Sequence, residues 1–167
     1  MNDTYVEVMV KRRTSPFLGP GRILSYALAT VLFLIAILGN FVFIIPALIF
    51  AAVAYFVIPR FDIEYEYLYI DKELSIDKIM SKEKRKHVYT VDLNRMQIMA
   101  PVKSHELDSY RSRGLKSYDF TSGEEDAKKY TIVYEGASEG TVLVDIEPNA
   151  EMLRAIKDVF PRKILEF

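Results

Sequence analysis

The chain has 167 residues, with 22 Lys and Arg against 23 Asp and Glu, and no cysteine, which excludes disulfides, zinc fingers, iron–sulfur ligation and thiol catalysis together. Its net charge of −1 argues against a nucleic-acid binder, which needs a basic domain. The mean hydropathy of +0.07 hides a division: no charged residue falls between Ile23 and Pro59, and the rest of the chain is about one-third charged.

The first 22 residues carry Lys11, Arg12, Arg13 and Arg22 against Asp3 and Glu7, a balance of +2. Within them Tyr5, Val6, Val8, Met9 and Val10 are too apolar for an idle tail. A helix capped by Asn2 or Asp3 with a Glu7–Lys11 pair is one reading; β-branched content favours a strand docked on the rest of the protein.

An uninterrupted helix over the charge-free stretch would be about 54 Å long, nearly twice the hydrocarbon thickness of about 30 Å, so the stretch must fold back. Gly39-Asn40 is the natural break, giving a transmembrane hairpin over 23–59 with helices over 23–39 and 41–58. Pro46 lies in the first turns of the second helix, where a kink is tolerated. Tyr26 and Tyr55 sit near one bilayer face as interfacial anchors. A cleaved leader is the competing reading, but no small-residue cleavage site followed by polar sequence occurs, and the apolar run resumes at Phe41. Lys11, Arg12, Arg13 and Arg22 precede the hairpin and Arg60 closes it, with no cation at the turn. The positive-inside rule then puts both termini in the cytoplasm of a multi-pass protein of the cell membrane.

Residues 60–167 hold 18 cations and 21 acids, balance −3, and read as one cytosolic domain. In Phe61–Ile70, Phe61, Ile63, Tyr65, Tyr67 and Tyr69 share one strand face and Asp62, Glu64 and Glu66 the solvent face. Asp71-Lys72-Glu73 turns the chain into Leu74–Ile79, and Ser81–His87 reads as a loop. Val88–Val91 and Met96–Ala100 continue the meander, Val102–Gly114 is a long loop or short helical excursion, and Leu115–Thr121, Tyr130–Glu135 and Thr141–Ile146 are three further strands. Asn149 caps a final helix whose apolar stripe includes Met152, Leu153, Ile156 and Phe160, before Pro161 stops it. The expectation is an α+β protein: a two-helix transmembrane hairpin, then a seven-strand antiparallel barrel or sandwich with a C-terminal helix.

The order IEYEYLYIDKELSI, a basic loop, VYTVDLNRMQIM, and a late strand pair feeding EPNAEMLRAIKDVF resembles the bacterial pleckstrin-homology-like domains over about residues 61–160. The whole chain is similar to a family of bacterial membrane proteins with this layout, from which no activity carries over. The resemblance implies docking of a lipid headgroup or a protein. The eukaryotic lipid-binding members place a Lys/Arg motif in the first strand-to-strand loop; here that loop is Asp71-Lys72-Glu73, short and acidic, and the cations Lys82, Lys84, Arg85 and Lys86 lie one loop later.

These four are the candidate contacts to anionic lipid, set against the plainer reading of a solvated charged hairpin. Asp62, Glu64 and Glu66 are weighed as a cation site and read as a solvent face; Tyr65, Tyr67 and Tyr69 are weighed as a recognition platform and read as core. His87 and His105 belong to no metal-ligand or triad spacing, and no Walker A, GxGxxG or GxSxG motif occurs. No catalytic, metal or cofactor-binding residue is assigned. The expected function is non-enzymatic: a membrane-anchored domain binding a protein partner or the membrane surface, with membrane lipids, a protein partner and self-association as expected contacts and nucleic acid not among them. The alternative is a small subunit of a membrane complex, with Ala27, Ala29, Ala47, Ala51, Ala52 and Ala54 allowing partner helices to approach closely.

Overall fold

The computed structural model describes residues 5–80 and 84–166, which fall into two compact units. One is helical and comprises 14–63 with Met80 and Lys84; the other is strand-rich and comprises 5–13, 64–79 and 85–166.

In the helical unit, α1 spans Leu18–Ile37 and α2 spans Phe41–Phe61. The break falls at Gly39-Asn40, as the sequence requires: α1 stops at Ile37 and Gly39 takes φ of +115°, a conformation that a Cβ would strain. The second helix opens with a 3₁₀ turn at Phe41–Phe43, continues as α-helix over Ile44–Ala52, widens into a π turn at Val53–Val57 and closes in a 3₁₀ turn at Ile58–Phe61. Pro46 is the third residue of the α-helical segment, within its first turn, where the missing amide hydrogen costs least. Ala29 and Ala36, seven apart on α1, and Ala47 and Ala54, seven apart on α2, are the buried residues of the two helices. Seven residues is two turns, so each helix offers one narrow stripe of small side chains to its neighbour. The larger apolar residues point outward, and only 11% of each span is buried.

The strand-rich unit contains eight strands in two four-stranded sheets, ordered β1-β2-β3-β4 and β5-β7-β8-β6. The first sheet is built from Val6–Lys11 (β1), Ile63–Ile70 (β2), Glu73–Met80 (β3) and Lys84–Asp92 (β4). The second holds Met96–Pro101 (β5), Lys116–Asp119 (β6), Tyr130–Gly136 (β7) and Gly140–Ile146 (β8).

Three corrections to the seven-strand antiparallel barrel follow. First, the N-terminal segment is a strand of the sheet: β1 pairs antiparallel with β2, Val8 opposite Tyr67, which buries Val6, Val8 and Val10 and leaves Glu7, Met9 and Lys11 outward. Second, β6 runs parallel to β8 rather than antiparallel. A parallel return needs a crossover of a dozen residues or more, and Val102–Leu115 supplies it. Third, the two sheets do not close into a barrel.

The crossover also explains why β7 is buried at five successive positions instead of at alternate ones. It carries a 3₁₀ turn at His105–Leu107 and a short helix α3 at Asp108–Arg111, and its Leu107, Tyr110 and Leu115 pack with Ala100, Val133 and Leu143. On the other side of β7 and β8, Ile132, Val144 and Ile146 are fully buried, as are Tyr67, Ile76 and Met152 elsewhere in the unit. Tyr67 bridges the sheets: its hydroxyl donates to the Phe120 carbonyl at 2.7 Å and accepts from the Glu147 amide at 3.4 Å. The terminal helix α4 spans Ala150–Val159, packs against β1 and is capped as expected, with the Asn149 side chain accepting from the Met152 amide at 2.7 Å. Beyond it, Lys163 and Leu165 pair with both backbone groups of Met99, extending the edge of β5.

Candidate membrane-surface site

The cations expected to form one loop patch lie along a strand. Because β4 begins at Lys84, the pleat sends Lys84 and Lys86 to one face and Arg85 and His87 to the other; Lys82 lies outside the described residues. All four described residues are exposed, but their surroundings differ. Arg85 donates to Glu66 Oε1 at 2.6 Å, and the His87 ring lies 2.9 Å from both Asp77 Oδ1 and Thr90 Oγ1.

Glu66 is the clearest departure from the sequence reading, which gave it to solvent. It does point to the outer face of the first sheet, yet only 1% of it is exposed. A single strand pattern cannot show this, because what covers Glu66 comes from β4 and β1: Arg85 is its ion pair and Met9 its cross-strand neighbour. Burial holds the Glu66 carboxyl above the usual range, with Arg85 opposing. Its Oε2 has no hydrogen-bond partner among the described residues. Neighbouring Glu7 moves the other way, held low chiefly by the hydrogen bond from Tyr5 at 2.6 Å. Among the described residues, no group of His, Asp and Glu has a geometry that would hold a metal ion.

The cations flanking the charge-free run divide as well. Lys11 ends β1, and Arg12 donates to the Tyr65 hydroxyl at 2.8 Å with its guanidinium 5.9 Å from that ring. The Arg13 amide donates to the Ser122 carbonyl at 2.7 Å, so this basic run is stitched to the strand-rich unit. Arg22 and Arg60 belong to the helical unit, near the start of α1 and the end of α2. With Lys84 they line a cleft of about 690 Å³, whose other walls include Tyr55, Phe56 and Met80. The sequence signal for this cleft was the pair of cations ending the charge-free run; the participation of Lys84 needed the tertiary structure.

Asp71 and Lys72 alone form the tip between β2 and β3, both at positive φ (49° and 69°), the geometry of a tight two-residue hairpin turn. That tip is too small to cradle a headgroup. The expectation that Tyr65, Tyr67 and Tyr69 are core holds, since all three are buried.

An aromatic network not foreseen from the sequence joins β4 to the second sheet. Glu139 accepts from Lys116 at 2.7 Å, from Tyr118 at 2.9 and 3.0 Å, and from Tyr89 at 3.2 Å; Tyr134 donates to Tyr89 at 2.8 Å. The Lys116 and Tyr118 contacts hold Glu139 low, and the hydrogen bond to Glu139 raises Lys116. Burial raises the Tyr89 hydroxyl. Every polar tip in this network is paired, so it serves as a side-chain tie between sheets whose backbones do not close.

No curated protein and no solved structure is significantly similar to the chain. Residues 2–166 match a family described as Bacterial PH-like domain (DUF6106). With nearly its whole length matched, the strand-rich unit and the apolar helices included, the chain belongs to this bacterial PH-like domain family.

Proposed function

We propose that the protein is a non-enzymatic, membrane-anchored binding module: α1 and α2 cross the cell membrane as a hairpin, both termini lie in the cytoplasm, and the PH-like domain grips a protein partner or the membrane surface. The observation that carries this reading is the exposure of two helices, apolar along their length, that turn back at a charge-free Gly39-Asn40 and carry Arg22 and Arg60 at their other ends. PH-like domains are generally non-catalytic, which fits a binding role.

The absence of cysteine makes the chain its own background for labelling. In intact spheroplasts, an impermeant maleimide should label Asn40→Cys at once and Glu124→Cys only after permeabilisation. The reverse pattern would overturn the orientation, and release of the protein by alkaline carbonate would overturn the membrane-spanning reading. Affinity purification of the full-length protein in mild detergent then addresses the partner.

A subunit role for the hairpin is the second reading, favoured by the broad apolar surface that α1 and α2 leave exposed. Ala29, Ala47 and Ala54 are already used between the two helices, so helix approach by a partner rests on Ala27, Ala51 and Ala52. If leucine at those three positions removes a co-purifying protein while deletion of the PH-like domain does not, the hairpin is the functional element. Size-exclusion chromatography with light scattering tests self-association in the same preparations.

A further inference from the structure

We infer that the cleft at the open end of the hairpin is a binding site for one anionic glycerophospholipid, its phosphate seated among Arg22, Arg60 and Lys84. This rests on the membrane-spanning reading of α1 and α2 and adds to it a defined ligand site, separate from any diffuse attraction of the domain to the bilayer. Three observations converge. The described lining contains three cations and no acid, and none of the three has a carboxylate partner among the described residues. Three like charges around one cleft repel one another, and an anion at their centre relieves that repulsion. Two of them are guanidiniums, which meet phosphate oxygens through paired N–H donors, and the third is a compact ammonium.

The rest of the lining is of the opposite character. Tyr55, Phe56 and Met80 give the cleft an apolar wall, and Tyr55 and Phe56 continue into the outward surface of α2. A ligand that satisfies both halves has a charged head joined to a hydrocarbon body. The volume of about 690 Å³ falls in the range of about 300–1,000 Å³ typical of small-molecule sites and far exceeds what one inorganic phosphate fills. Position agrees: Arg22 and Arg60 flank the charge-free run, the level at which headgroup phosphates lie, and Arg22 stacks 6.0 Å from the ring of Tyr26, an interfacial residue. The short, acidic β2–β3 tip takes no part.

The test uses the full-length protein in a mild non-ionic detergent and short-chain dihexanoyl lipids as probes, with binding followed by native mass spectrometry and thermophoresis. Wild type should bind dihexanoyl phosphatidylglycerol at one per chain, at least tenfold tighter than dihexanoyl phosphatidylcholine. Each neutralised cation should cost about fivefold, and Arg22→Gln/Arg60→Gln/Lys84→Gln about 100-fold. Arg22→Lys/Arg60→Lys should recover most of the binding. The control Lys103→Gln/Lys128→Gln/Arg154→Gln, with the same change of charge on exposed positions of the strand-rich unit, should bind as wild type. Equal loss in the control triple would reduce the effect to net charge and overturn the site. So would undiminished binding by the cleft triple, provided its helical circular dichroism matches wild type; where it does not, the three single variants give the same reading. Full competition by inorganic phosphate at equal concentration would overturn the lipid assignment in favour of a free-phosphate site. Maleimide labelling of Asn40→Cys keeps the two readings apart: membrane insertion with no lipid specificity refutes the site alone, and failed insertion refutes the anchor.

Discussion

Arg85→Ala is the most informative perturbation of the strand-rich unit, because it separates a lipid-facing cation from one committed to the fold. The Glu66 side chain is 2% exposed, one of its oxygens is held by Arg85 at 2.6 Å, and the other has no partner among the described residues. Removing one member of a fully buried ion pair costs about 3–5 kcal/mol. Arg85 is itself 56% exposed, so water replaces part of what it gives, and about 1–2 kcal/mol is the appropriate figure. For a domain of this size that is a fall in Tm of roughly 4–10 °C.

The loss should depend on pH in a definite direction. The folded-state pKa of Glu66 is raised, so its contribution is fully present below the unfolded carboxylate value of about 4.3 and is lost as pH rises through the folded value. Without Arg85 that folded value rises further. The deficit of Arg85→Ala should therefore be small near about pH 4.5 and reach its full size near about pH 7.5. Adding Glu66→Gln to Arg85→Ala should recover most of the stability, because it removes the stranded charge. The assay is thermal unfolding of the full-length protein in detergent, followed through the near-ultraviolet signal of its 11 tyrosines, undisturbed by tryptophan, of which it has none. A deficit equal at both pH values, or a double variant no better than Arg85→Ala, would refute the reasoning.

Tyr67→Phe should cost about 1–2 kcal/mol and little volume, because it removes the hydroxyl that joins the Phe120 carbonyl to the Glu147 amide in the core; an unchanged Tm would show that the bridge is idle. Asn149→Ala should destabilise by about 1 kcal/mol through loss of the cap on the Met152 amide, and Asn149→Asp should restore it, as read by urea denaturation. Val8→Asp should release β1, since Val8 is buried opposite Tyr67; hydrogen exchange in Val6–Val10 should rise to the rate of an unfolded peptide, and retained protection would refute the docking. Gly39→Val should disturb the hairpin turn by forcing a β-branched residue to φ of +115°, detectable as loss of protection in the ends of α1 and α2.

What was legible in the sequence was whatever depends on local periodicity. The charge-free run, its break at Gly39-Asn40, the buried tyrosine face of β2 and the Asn149 cap each follow from one short stretch of chain, because helix length, glycine conformation, strand pleat and capping are local properties. The β-branched content of Val6–Val10 likewise favoured a strand there, though without naming its partner. Tertiary structure decided everything that depends on what lies across from a residue. Glu66 follows the outward phase of β2 and is nevertheless covered, since Arg85 arrives from a strand two places along the sheet. Nothing in the sequence of β6 distinguishes a parallel neighbour from an antiparallel one; the crossover from Val102 to Leu115 sets that direction and buries the second face of β7. Lys84 and Arg85 are adjacent in sequence and indistinguishable by composition. The pleat of β4 separates them, giving Arg85 to a carboxylate and Lys84 to the cleft with Arg22 and Arg60, because successive strand residues face opposite ways and meet different neighbours.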